Sequence, residues 1–177
     1  MSTKVVTIRP EQIKFFLFNA EYRRLARRTI PFRGVATVVS EFGVPLLPYD
    51  RTTVSPVETV EDFLFGDVPW DQTTEGKIYL DRVSRYKKFR SHGYGTTRDE
   101  VARYFSDLRQ NFEAIRQTGW RFIPDDPVSV YLSRTGQFAS VLGGRHRVRI
   151  AQLLDLPTID VQVPSVHWRM LKHSGLR

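Results

Sequence analysis

The segment VLGGRHRVRIAQLLDLPTIDVQV, Val141 to Val163, constrains the fold more than any other part of the chain. An apolar run ends in Gly143-Gly144. The residues that follow, Arg145 to Leu154, spell a helix with Val148, Ile150, Ala151, Leu153 and Leu154 as its buried side. Pro157 closes that helix, and Ile159, Val161 and Val163 alternate as a strand. Upstream, Val128, Val130 and Leu132 alternate as one face of another strand. SRTGQ, Ser133 to Gln137, then makes a turn, and Phe138 to Leu142 makes a strand that leads into the glycines. Strands and a helix interleaved at this spacing predict an α+β (mixed α/β) fold: a small mixed sheet packed by N-terminal helices.

The N-terminal two thirds is less regular. Ile13, Phe16, Leu17, Ala20 and Leu25 recur at helical spacing after Pro10, so residues 11–28 are expected to form a helix ended by Pro31. Residues 31–75 are broken by Pro45, Pro48, Pro56 and Pro69 and by several glycines; a short strand over Val35–Val39 is the one element expected there. Residues 77–90 read as a helix with Ile78, Leu80, Val83 and Tyr86 apolar, and HGYGTT, His92 to Thr97, as a turn. Thr97 and Glu100 form a capping box, since each side chain can satisfy the other's orphan amide. The helix it opens carries Val101, Tyr104, Phe105, Leu108, Phe112 and Ile115 on one stripe, and Gly119 should stop it. The expected organisation is an N-terminal elaboration, 1–118, packed on a core of 119–168 in one compact whole.

Composition removes several classes of chemistry. With no cysteine, disulfides, thiol nucleophiles and Cys-ligated zinc are excluded. No apolar run reaches the ~18 residues of a membrane helix, and MSTKVVTIRPEQIKFF has no signal-peptide core. A cytoplasmic location is expected. Lys and Arg outnumber Asp and Glu by 27 to 19, a net charge of +8 that favours an anionic partner. The charge is uneven: residues 1–60 carry +4, 61–81 carry −5, 82–121 carry +6 and the remainder +3.

The Gly-Gly junction is where chemistry concentrates. Glycines allow a sharp turn and close approach of a ligand to the backbone. The helix start brings outward-pointing amides and a partial positive charge. Arg145, His146 and Arg147 beside those amides make a compact anion site for which phosphate is the natural guest. The plainer alternative is a tight turn followed by a solvated arginine face. Neither a Walker A loop nor a three-glycine dinucleotide fingerprint occurs.

At these residues the chain resembles the ParB/sulfiredoxin superfamily. In that family a strand, a short Gly-x-(His or Arg)-Arg motif, a helix and a returning strand form the nucleotide site. The resemblance covers about residues 120–165, and Gly119-Trp120, Asp126-Pro127 and His167-Trp168 resemble its flanks in ParB relatives found among surface-polysaccharide genes. It implies binding of ATP or CTP, with Mg²⁺, by Gly143, Gly144, Arg145, His146 and Arg147. It also limits the use. Arg145 stands where sulfiredoxins carry their motif cysteine, which excludes that activity. ParB clamps carry a helix-turn-helix after the core, and the 14 residues after Val163 are too few for one. Free-serine kinases show that such a core can pass a phosphoryl group to a small hydroxyl.

Further candidates come with competing readings. His146 could contact phosphate or transfer a proton, or could simply cap its helix. Asp126, next to Asp125, could hold Mg²⁺ or act as a base, or could be a polar turn before Pro127. Arg23, Arg24, Arg27 and Arg28, with Lys87 and Lys88, could track a nucleic-acid backbone, with Tyr22, Tyr86 and Phe89 stacking bases, or could line solvated helix faces. His92, His146, His167 and His173 are scattered rather than set at metal-ligand spacing. The expected function is nucleoside-triphosphate binding, with phosphoryl transfer to a small or glycan-type hydroxyl as the reaction of a kinase or NTPase. Two alternatives stand beside it: a ParB-like DNA-binding module switched by nucleotide, and a non-catalytic relative. The oligomeric state is not legible.

Overall fold

The computed structural model describes residues 4–16, 30–32, 36–39, 47–48, 56–86, 97–133, 135–141 and 144–167. The chain divides into two units: a sheet unit of residues 1–51 with 120–177, and a helical unit of residues 52–119. The strands are β1 (Lys4–Ile8), β2 (Ile13–Phe16), β3 (Ile30–Phe32), β4 (Ala36–Val39), β5 (Leu47–Pro48), β6 (Ser129–Leu132), β7 (Phe138–Val141) and β8 (Ile159–His167). The α-helices are α1 (Pro56–Val60), α2 (Thr74–Tyr86), α3 (Arg98–Thr118) and α4 (Arg145–Leu153). The fold is α+β with a mixed sheet, as the sequence predicts. The division differs from the expected one. The helical unit ends at Gly119, and β1–β5 belong with the C-terminal strands, so the sheet is built from both ends of the chain.

Strand order among the described residues is β3-β4-β8-β6-β7-β2-β5, with β1 also on β8. β8 organises the sheet. Gln162 faces Val5 of β1 and Ser129 of β6, and Ser165 faces Thr37 of β4 and Tyr131 of β6. β1 and β4 therefore follow one another along the edge of β8 opposite β6. The change of neighbour falls at Pro164, and the β6 register also shifts there: Ser129 and Tyr131 oppose Gln162 and Ser165. A proline has no amide to give a ladder, and a bulge at the point where partners change is where a nine-residue strand can hold one.

β6 runs parallel to β8 and antiparallel to β7. Residues 128–133 are all buried. The expected one-sided alternation of Val128, Val130 and Leu132 is therefore corrected: this central strand is covered on both faces, and Tyr131 is as enclosed as Val130. On α4, Val148, Ile150 and Ala151 are buried, while Leu153 and Leu154 are half-buried.

The expected helix over 11–28 is also corrected for its described part. Pro10 opens only a 3-10 turn, Pro10–Gln12, with Gln12 Oε1 accepting the Arg9 amide at 2.9 Å. The chain then extends as β2, parallel to β7 and antiparallel to β5. Ile13 is fully buried against this pairing. In IKFF, β-branched and aromatic residues suit a pleated surface, and the non-local pairing decides between two periodicities that a short apolar run leaves open. Residues 17–28 lie outside the described residues, as does the expected turn over 92–96.

In the helical unit, prolines punctuate elements rather than abolish them, so within 31–75 the described residues form strands and helical turns in place of the expected irregular chain. Pro56 opens α1, which continues as a π turn over Glu61–Phe65, and Pro69 precedes a 3-10 turn over Trp70–Gln72. The stripe Val101, Tyr104, Phe105, Leu108, Phe112 and Ile115 is buried as predicted. Phe105 meets Phe63 and Tyr104 edge-on at 5.3 and 5.2 Å and stacks on Trp70 at 5.5 Å. The capping box is present: Thr97 Oγ1 accepts the Glu100 amide at 3.3 Å, and Glu100 Oε2 accepts the Thr97 amide at 2.9 Å. Thr97→Ala should cost about 1 kcal/mol, read in chemical denaturation. α2 begins at Thr74, and its buried side is Glu75, Gly76 and Tyr79 rather than the expected Ile78, Leu80, Val83 and Tyr86, of which Tyr86 is exposed.

α4 ends in a Schellman motif. Leu156 N donates to Ala151 O at 3.0 Å and Asp155 N to Gln152 O at 3.2 Å, with Asp155 at φ +49. A carboxylate there combines a left-handed backbone with the negative end of the helix. Asp155→Gly should raise stability by about 1 kcal/mol, measured as a higher denaturation midpoint.

Candidate functional site

The junction from β7 into α4 is built around Gly144, which takes φ +74 and ψ 5 at the position before the helix. A Cβ there would lie 2.7 Å from Val128 Cγ2 and 3.1 Å from Val128 Cα. Backbone conformation and close packing both require glycine. Val148 N donates to Gly144 O at 3.0 Å, the first rung of the helix, so the amides of residues 145–147 lie beyond its own ladder. Gly143 lies outside the described residues.

The first turn of α4 contains no acid and holds Arg145, His146 and Arg147, all half-buried. This reverses the usual preference of a helix N-terminus for negative charge, each such placement costing roughly 0.3–1 kcal/mol. The Arg147 side chain is largely enclosed. Its Nη2 donates to the backbone oxygen of Asp126 at 2.6 Å and lies 3.1 Å from Asp126 Oδ2. Burial pushes its pKa below the usual arginine value, against the opposing pull of the Asp126 charge. An arginine stays protonated at neutral pH even so.

The structure thus brings Asp126 and Arg147 together. Asp126 sits in the turn before Pro127, and its carboxylate serves as counter-ion to Arg147. A role as general base or as Mg²⁺ ligand would compete with that contact. Among the described residues, no group of three or more His, Asp or Glu is placed to hold a metal.

The segment from Trp120 to Val128 walls the junction. Trp120 Nε1 donates to Asp160 O at 3.1 Å, and Gln162 N donates to Val128 O at 2.8 Å. On the other flank, Gln152 Nε2 donates to Pro10 O at 3.1 Å and Ile13 O at 3.2 Å, fastening α4 to the turn before β2. Sequence reasoning missed both anchors. Val128 reads as a strand residue and Gln152 as a polar helix position, and neither carries a local sign of its distant partner.

Arg23, Arg24, Arg27, Arg28, Lys87 and Lys88, the candidate nucleic-acid contacts, lie outside the described residues, as do His92 and His173. Three of the four arginines of α3 have structural surroundings. Arg98 lies over Trp70 and bonds Asp71, Arg109 lies over Phe63 and bonds its carbonyl, and Arg116 lies over Phe112 beside Glu113. The helical unit also encloses Glu75, whose Oε1 accepts the hydroxyls of Tyr79 and Tyr104. A buried acid so partnered holds the aromatic core in register rather than facing a ligand. No described helix is long and apolar enough to cross a membrane. No protein-family model, curated protein or solved structure matches the chain.

Proposed function

We propose that the chain binds a nucleoside triphosphate, ATP or CTP with Mg²⁺, through its phosphates at the start of α4. The observation that carries this reading is the charge reversal of that helix terminus: Arg145, His146 and Arg147 with no acid in the turn. Arg145, His146 and Arg147 are the phosphate contacts, with the amides that follow Gly144. Phosphoryl transfer to a small or glycan-type hydroxyl is the reaction such a site would support, by positioning and charge neutralisation. While it pairs with Arg147, Asp126 acts as a counter-ion rather than as the acceptor's base.

The test is thermal denaturation of the full chain with ATP, CTP and GTP, each with Mg²⁺. Binding to the folded state raises the midpoint, by the equivalent of about 2.7 kcal/mol at a hundredfold excess over Kd. Arg145→Ala should diminish that rise. No shift with any nucleotide overturns the reading.

A second reading rests on where the charge lies. The sheet unit holds 17 basic and 8 acidic residues and the helical unit 10 and 11, so the sheet unit carries +9 and the helical unit −1 of the net +8. That distribution supports a polyanion such as DNA as a partner. A mobility shift of duplex DNA that weakens steeply with salt would favour it, and nucleotide turnover without DNA would favour the enzyme.

A further inference from the structure

We propose that the Asp126–Arg147 pair is an exchangeable clasp: Asp126 occupies Arg147 in place of a ligand phosphate and is displaced when the phosphate binds. This rests on the phosphate reading above and adds a mode of regulation to it. The pair is unequal. The Arg147 side chain is 11% exposed and the Asp126 side chain 60%. A buried guanidinium deprived of its counter-ion is costly, whereas an exposed carboxylate is rehydrated readily when it lets go. Exchange is therefore favourable only with another anion to replace the carboxylate. A phosphate group is the anion whose geometry a guanidinium matches and which the adjoining Arg145 and His146 would also hold.

The pair also has a mechanical consequence. Asp126 belongs to the turn in which its own amide donates to Ile123 O at 3.2 Å. That turn lies between two fixed points, Trp120 on Asp160 O and Val128 against Gly144 and Gln162. When a phosphate takes the place of the carboxylate, the ends of the segment stay anchored and Asp126 keeps only its backbone-oxygen bond to Arg147, one of the two contacts that tie this turn to α4. Ile123 is 42% exposed within that stretch, so a released turn offers an apolar residue beside the occupied site. The clasp thus converts phosphate binding into loosening of one short surface segment.

The discriminating variant is Asp126→Asn, which keeps the backbone oxygen bonded to Arg147 and removes only the competing charge. Binding of inorganic pyrophosphate and of ATP with Mg²⁺ to the full chain is measured by calorimetry, for wild type and variant. The expected result is about fivefold tighter binding by Asp126→Asn, the equivalent of one ion pair at this exposure. In wild type, amides 121–126 should exchange hydrogen faster on addition of pyrophosphate. Binding to the variant alone also supports the clasp. Binding to wild type with equal or weaker binding by the variant overturns the clasp and leaves the phosphate site standing. No binding to either protein overturns both. Should Asp126→Asn not fold, wild-type exchange decides: amides 121–126 unchanged by bound pyrophosphate overturn the clasp.

Discussion

Replacing Gly76 by alanine should destabilise the helical unit by more than about 3 kcal/mol, although the same change inside an exposed helix ordinarily stabilises by about 1. The reason is one carbonyl. A Cβ at position 76 would lie 1.9 Å from the backbone oxygen of Trp70 and 2.9 Å from its carbon. No rotamer relieves an overlap with backbone. That oxygen is also held in place, accepting Thr73 Oγ1 at 2.7 Å and the Thr73 amide at 3.3 Å. Thr73 Oγ1 in turn accepts the Gly76 amide at 3.0 Å and so caps α2. Alanine must push the 3-10 turn away from the helix. That loses the cap, moves Trp70 off Phe105 and disturbs Glu75 beneath its two tyrosines. The measurement is urea denaturation followed by far-ultraviolet circular dichroism. A loss under about 1 kcal/mol, within the range of ordinary surface substitutions, would show that the turn yields easily.

The second large effect is at the candidate site. Gly144→Ala adds a Cβ at φ +74, costing about 1–2 kcal/mol for a left-handed backbone. It also forces the Cβ to 2.7 Å from Val128 Cγ2, adding about 1–3 kcal/mol of overpacking. The total should be about 2–5 kcal/mol. The parts are separable. Val128→Ala removes the Cγ2 contact but leaves the 3.1 Å approach to Val128 Cα and the backbone strain. Gly144→Ala should therefore cost less, but not nothing, in a Val128→Ala background, and a double-mutant cycle gives the difference. Strict additivity of the two changes would mean that Val128 does not set the position of this turn. Because the variant moves the first turn of α4, it should also abolish nucleotide stabilisation at temperatures where the protein remains folded.

What the sequence revealed was local. The six-residue stripe of α3, its capping box and the order strand, turn, strand, Gly-Gly, helix, strand all follow from periods and end signals within a few turns of chain. What it concealed depends on distant partners. Ile13 belongs to a strand because β7 lies beside it, and Val128 to Leu132 lose their one-sidedness because side chains on both faces of this central strand are buried. Gly76 looks like a weak point in a helix until the Trp70 carbonyl is known. At the candidate site the arginines and glycines were visible, but the pairing of Arg147 with Asp126 across 21 residues was not. Asp126 reads as a free acid from its neighbours alone, and only the tertiary fold gives it a cation.

The place of the helical unit in the sequence, between the two stretches that form the sheet unit, has a consequence for synthesis. The β1–β8 ladder joins Lys4 to Val163, and β2 meets β7 through Ile13 and Phe138. Pairings so distant in sequence close slowly and cannot close until the later strand has been made. The aromatic core of residues 56–118 needs only its own stretch of chain. On the ribosome the helical unit can assemble first, while β1, β2 and β4 wait with unsatisfied edges for β7 and β8. During that interval the early strands are exposed to strand exchange with neighbouring nascent chains. The yield of native protein should thus depend on the rate at which the final third of the chain is delivered.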